Sequence, residues 1–219
     1  MSDRTRITRL REKARTDRAI LDELLDASRV GHFGLTDSDG RPVVVPTAIV
    51  RDGDRVLAHG STGSPWMRRL ADGAPTCLAV TALDGLVVAR SAFESSLHYR
   101  SAVLFGECAQ VDANERECVL DLITDALLPG RAAEIRRPTR RELEATLVLA
   151  LPITEWSLKV SDGWPDDPAE DVAGTAWAGV VPIVTTHGSP RPTTDLRPGI
   201  AVPASVLGIA GQAGADEPR

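Results

Sequence analysis

The chain has 219 residues, 42% hydrophobic and 26% charged, with a formal net charge of −6 at pH 7. That is globular composition, long enough for one large domain or a domain with an extension. The acidic balance and dispersed basic residues argue against nucleic acid or an anionic membrane as partner, and no apolar stretch approaches a membrane span.

Residues 1–15 are charged and Arg-rich and read as an arm that is mobile or packs late. Thr16 or Asp17 can cap a helix over residues 16–28, with Ile20, Leu21, Leu24 and Leu25 as its apolar stripe. Residues 31–36 read as a strand, followed by an Asp-Ser-Asp-Gly turn at 37–40. Residues 42–50 form the next strand. Pro46 cannot donate to a ladder, so this strand belongs at an edge or carries a bulge. Asp52-Gly53-Asp54 turns the chain into a return strand at 56–59. Then comes Gly60-Ser61-Thr62-Gly63-Ser64-Pro65. Ser64 suits an N-cap and Pro65 the first helical position of a helix through Leu70. Two readings stand for this loop: a capped helix after a hairpin, or a phosphate cradle of hydroxyls and free amides flanked by Arg68 and Arg69.

Residues 76–82 and 86–91 read as strands joined by a turn at Asp84-Gly85, and residues 99–111 as a long strand in which Gly106 marks a bulge or close approach. On that strand Tyr99, Ser101 and Val103 share one face, and His98, Arg100 and Ala102 the other. Arg100 lies so close to a buried run that it needs an anion or a carboxylate as partner. A helix over 114–128 stops at Pro129-Gly130. A basic loop at 131–141 follows, then a strand over 146–159 kinked at Pro152. Beyond residue 160 the many Pro and Gly imply an extended segment, 161–209, laid on the body or on a partner subunit, with residues 210–219 a disordered tail. Hairpin spacing without a helix after every strand argues mainly β structure with flanking helices.

Catalytic signatures are absent. His32, His59, His98 and His187 have no zinc-site spacing, and no metal site is expected. There is no G-x-G-x-x-G and no G-x-S-x-G. Cys77, Cys108 and Cys118 show no C-x-x-C spacing. With no signal peptide, free thiols in a cytoplasmic setting are expected.

The stretches Val30-Gly31-His32-Phe33-Gly34, Val45-Pro46-Thr47, His59-Gly60-Ser61, Asp84-Gly85-Leu86-Val87-Val88-Ala89-Arg90-Ser91 and His98-Tyr99-Arg100-Ser101 leading to Phe105-Gly106 resemble the pyridoxamine 5′-phosphate oxidase-like FMN-binding split-barrel family. The likeness is strongest to its branch of flavin-nucleotide-binding and 5-nitroimidazole-resistance proteins. Trp156-Ser157-Leu158-Lys159-Val160 and Trp177-Ala178-Gly179 continue it. The resemblance implies a six-stranded antiparallel split β-barrel, and a homodimer with FMN at the subunit interface. By carry-over, Val45, Pro46 and Thr47 would run beside the isoalloxazine. His59, Gly60, Ser61 and Ser64 would meet the ribityl phosphate or ring edge. Arg100 and Ser101 would help bind phosphate or ribityl groups, Tyr99 would be a further cofactor-binding residue, and Trp177 would approach from the partner chain. Many relatives carry a basic residue where this chain has Pro65 and Trp66, which shifts phosphate binding to Arg68, Arg69 or Arg100. The resemblance further implies an oxidoreductase passing electrons through FMN to a small organic acceptor, with reduced nicotinamide as a candidate donor and His59 or Tyr99 as proton donors. A non-catalytic flavin carrier or sensor, and a split barrel holding deazaflavin or haem, are the alternatives. The substrate-binding pattern of true pyridoxamine phosphate oxidases is not found.

Overall fold

The computed structural model describes residues 3–210. Helix α1 (Arg18–Ala27) is capped by the Asp17 carboxylate, which accepts from the Ala19 amide at 2.9 Å, and it buries Leu21, Leu24 and Leu25. Strands β2 (Val30–Thr36) and β3 (Pro42–Ala48) pair as a hairpin, as do β4 (Val50–Asp52) and β5 (Arg55–Ser61). Gly40 and Gly53 turn them at φ of 79° and 56°, a backbone region that favours glycine. Helix α2 (Pro65–Ala71) follows, then the long strands β6 (Pro75–Val88) and β7 (Ser96–Glu107).

Among the described residues, two antiparallel sheets form the split barrel. The larger runs β1 (Ala14–Arg15), β10 (Glu155–Ser161), β7, β6, β2, β3, with β11 (Gly179–Pro182) added to β6. The smaller runs β4, β5, β9 (Thr146–Pro152), β8 (Ala109–Gln110). β3 ends the larger sheet, the edge position that Pro46 requires.

Three stretches that read as single strands are each two. The chain leaves the larger sheet for the smaller at Ile49 and again at Cys108, and returns after Ile153; all three residues are buried. A local pattern of apolar residues cannot show that the strand has changed partners. Asp84-Gly85 is likewise no hairpin turn. Residues 75–83 and 85–87 both pair with β7, and the register shifts by one between Leu83 and Gly85, a β-bulge. β6 also shares one edge between two neighbours, β2 at residues 77–79 and β11 at 85–88.

The main core lies between the sheets and under α1 and α2, built from Leu21, Phe33, Val56, Met67, Leu78, Leu104 and Leu149. A second cluster packs helix α3 (Arg116–Leu127) onto the outer side of the smaller sheet through Leu57, Val119, Ile123 and Val148. The basic loop contains helix α4 (Arg140–Ala145), whose capping box joins Thr139 and Glu142.

Residues 3–15 are engaged with the sheet. Arg4 forms an ion pair with Glu155 and lies 5.1 Å from the centre of the Phe105 ring, Thr5 is buried, and β1 pairs with β10. The C-terminal segment is not extended throughout. It forms helix α5 (Ala169–Val172), then β11, and after an exposed stretch at 183–202 it ends in helix α6 (Ala204–Ala210). Ser205 is buried there, its amide donating to Glu134 at 3.0 Å and its hydroxyl to the same carboxylate. Residues 211–219, nearly all of the expected disordered tail, lie outside the described residues. Among the described residues no helix is long and apolar enough to cross a membrane.

Candidate functional site

A groove of about 720 Å³ opens between β3 and α2. Leu35, Val43, Val45 and Trp66 form its apolar wall, and Arg68 and Arg69 stand at its rim. Val43 and Val45 share a face because strand side chains alternate, while Pro46 points the other way, opposite His32. Trp66 is steadied by Phe33, the ring centres 6.0 Å apart. Arg69 donates to the Thr36 carbonyl, whereas Arg68 is exposed and has no partner among the described residues. The combination offers an apolar wall beside a charged rim, where Asp37 and Asp72 stand with the two arginines.

The loop before α2 spends part of its hydrogen-bonding capacity on its own backbone. Thr62 N donates to the Ala145 carbonyl, Gly63 N to Ser61 Oγ and Ser64 N to the Ser61 carbonyl, at 3.0, 3.1 and 3.0 Å. Those three amides are occupied, and the Ser64 side chain makes no cap. An anion here would meet the arginine side chains and the Trp66 and Met67 amides, which have no backbone acceptor among the described residues.

His59 stands elsewhere. It faces Val148 across β9 and so points into the cluster under α3. It is half-buried, and burial lowers its pKa, which keeps the imidazole neutral at pH 7. Gly60 lies on the opposite face, against Met67.

Tyr99, Arg100 and Ser101 sit at the start of β7, on the larger sheet. Tyr99 and Ser101 face outward, with the Lys13 ammonium 6.0 Å from the Tyr99 ring centre. Arg100 turns the other way and finds a carboxylate: its Nε and Nη2 donate to Asp84 at 3.0 and 2.9 Å. The bulge makes this possible, because Asp84 is the extra residue set out of the ladder. That hydrogen-bonded pair raises the Arg100 pKa, and Glu23 adds to the effect through space. The pair lines a second cavity of about 890 Å³, with Arg29, Val30, Thr81 and Val184 among its other walls. Asp84 and Arg29 escaped the sequence reading. The available signal was that the runs flanking Asp84-Gly85 are both long enough to pair with one strand.

Trp177 precedes β11 and is 66% exposed. Its indole lies over Gly179, where a Cβ would stand 2.7 Å from the ring, so only glycine admits this placement. Within one protomer, then, Val45 and Arg68 meet in the groove, whose lining begins at Pro65, just after Ser64. His59 lies under α3, and Tyr99, Arg100 and Ser101 lie at the start of β7. Among the described residues no cluster of His, Cys, Asp and Glu could hold a metal ion.

The profile of the pyridoxamine 5′-phosphate oxidase family matches residues 17–160. A FAD and haem binding protein from Mycobacterium smegmatis is 51% identical; the match covers 90% of this chain and 97% of that one, with a TM-score of 0.87. The flavocytochrome Anf3 from Azotobacter vinelandii is 37% identical over 95% of this chain and 97% of that one, with a TM-score of 0.89. A Bacteroides thetaiotaomicron protein described as a 5-nitroimidazole antibiotic resistance protein shares the fold, at 18% identity and a TM-score of 0.58 over 67% of this chain and 86% of its own. No curated protein matches.

Proposed function

The chain belongs to the pyridoxamine 5′-phosphate oxidase family, and from that premise we propose that it binds a flavin together with haem and passes electrons to a small acceptor. The observation that carries this reading is the 51% identity, over 90% of the chain, to a FAD and haem binding protein. It favours FAD over the FMN that the sequence suggested.

The groove between β3 and α2 fits a flavin. Val43, Val45 and Trp66 give an isoalloxazine an apolar wall, and Arg68, which has no partner among the described residues, gives a phosphate a cation on a rim that Arg69, Asp37 and Asp72 share. Bound flavin and haem would supply hydride and single-electron chemistry that no side chain here provides. The chain's own task is to hold, orient and screen the two groups. Reduced nicotinamide is the donor proposed.

A homodimer completes the proposal. Leu83, Leu86, Leu97 and Val181 are all more than 40% exposed, more apolar strand surface than the few helices cover. An interface on the order of 2,000 Å² or more would cover it and would set Trp177 of one protomer against the other. Light scattering that gives a monomer mass at micromolar concentration overturns the dimer.

The cofactor reading is tested on the purified protein. Its spectrum should show a flavin band and a Soret band, and the flavin released by denaturation should migrate with FAD, at about one flavin per chain. A colourless protein that fails to quench the fluorescence of added FAD or FMN overturns it.

A further inference from the structure

Haem asks three things of a protein: an axial ligand for iron, apolar contact for a planar ring, and cations for the carboxylates on one edge of that ring. The described residues hold four imidazoles. His98 donates through Nε2 to the Gly163 carbonyl at 2.8 Å. His59 points into the cluster under α3. His187 lies in the exposed stretch that precedes α6.

His32 differs from all three. It sits in mid-strand on β2, exposed, with neither ring nitrogen hydrogen-bonded among the described residues. The residues directly opposite are Pro46 on β3 and Ala79 on β6, and Gly34 follows two positions along. None of these can shield the imidazole. Val30 and Val44 flank it on the same face, 50% and 65% exposed. Two positions back along β2, about 7 Å away, Val30 forms a wall of the cavity that holds Arg29 and Arg100. Arg100 is already taken by Asp84, but Arg29 donates only to the Asp26 carbonyl, at 2.7 Å, and has no carboxylate partner among the described residues.

Resting on the haem reading above, we infer that His32 is the iron ligand, that the apolar outer face of β2 and β3 receives the ring, and that Arg29 at the adjoining cavity receives a propionate. Imidazole, apolar surface and unpaired cation follow one another on β2 and at the residue just before it. No other histidine among the described residues has that company.

The test reads binding and spectra and does not depend on turnover. Haemin is titrated into wild type, His32→Ala, His32→Gly, His59→Ala and Arg29→Ala, with flavin content and melting temperature measured beside it. Wild type and His59→Ala should develop the same Soret band. His32→Ala should keep its flavin and melting temperature and lose haemin affinity at least tenfold. Adding imidazole to His32→Gly should restore the wild-type band position. Arg29→Ala should bind haemin about two- to fivefold more weakly, the worth of one exposed ion pair. An unchanged Soret band in His32→Ala overturns the ligand assignment, and unchanged affinity in Arg29→Ala overturns the propionate contact. A wild type that takes up no haemin while holding flavin overturns the haem reading itself, a different failure from either.

Discussion

Removing Asp84 or Arg100 should cost stability and leave flavin content alone. The two side chains share two hydrogen bonds, at 3.0 and 2.9 Å, and are 37% and 29% exposed. A hydrogen bond to a charged group contributes about 1.5–3 kcal/mol when shielded, whereas exposed ion pairs contribute under about 1 kcal/mol. With roughly a third of each side chain in water, about 1.5 kcal/mol is the expected cost of Asp84→Ala or Arg100→Ala. For a chain of this size that lowers the melting temperature by about 3–6 °C. In a thermal double-mutant cycle the double variant should lose clearly less than the sum of the singles, with a coupling of about 1 kcal/mol. Asp84 also accepts from the Ile183 amide through its carbonyl, a bond that either substitution leaves in place. Arg100 does not line the groove assigned to flavin, so flavin content should hold in all three variants. An Arg100→Ala protein that melts like wild type but has lost its flavin would refute the reasoning and return Arg100 to the ligand.

The thiols should separate by environment: burial pushes Cys108 up to about 12, while Cys118 is exposed, so iodoacetamide at neutral pH should label Cys118 and spare Cys108, as read by mass spectrometry. Ser205→Ala removes the hydroxyl that Glu134 accepts from, and amide exchange across residues 204–210 should quicken while the β6 and β7 amides are unaffected. Burial holds the His59 pKa below 6.5, so the unfolded chain takes up this proton first. The stability His59 contributes is complete above pH 6.5 and is lost as pH falls through its folded pKa, and urea melts of His59→Gln should show a shallower acid decline than wild type.

Local chemistry in the sequence announced the hairpins and α1. Gly40, Gly53 and Asp17 each fix a turn or cap within a few residues of themselves. Partner choice was invisible at that range. Ile49, Cys108 and Ile153 are apolar like their neighbours, and nothing in a run of Val, Leu and Ala says where a strand leaves one sheet for another. The candidate site divides in the same way. Val45 and Arg68 come together because only the β4–β5 hairpin separates β3 from α2 along the chain. Arg100 called for an anion or a carboxylate from the start, but Asp84 carried the look of an ordinary Asp-Gly turn, and only the pairing of both flanking runs with β7 makes it a bulge facing the arginine.

The strand β2 ties the two candidate sites together. Its inward face carries Phe33 and Leu35, which pack the core and wall the groove, and its outward face carries Val30 and His32. Glycine breaks the alternation twice, for steric reasons that differ. A Cβ on Gly31 would stand 2.7 Å from Leu78 and 3.0 Å from Ile49, inside the core. A Cβ on Gly34 would stand 2.8 Å from the Cys77 sulfur, on the outer face beside His32. The first glycine lets β2 settle against the core at the corner where the chain changes sheets. The second leaves the outer face bare next to the imidazole. A one-residue slip of β2 would exchange the two faces at a stroke, putting His32 in the core and Phe33 in solvent. The burial of Phe33 and Leu35 therefore holds the register that keeps His32 exposed, so that the same packing energy that closes the barrel also presents the proposed ligand.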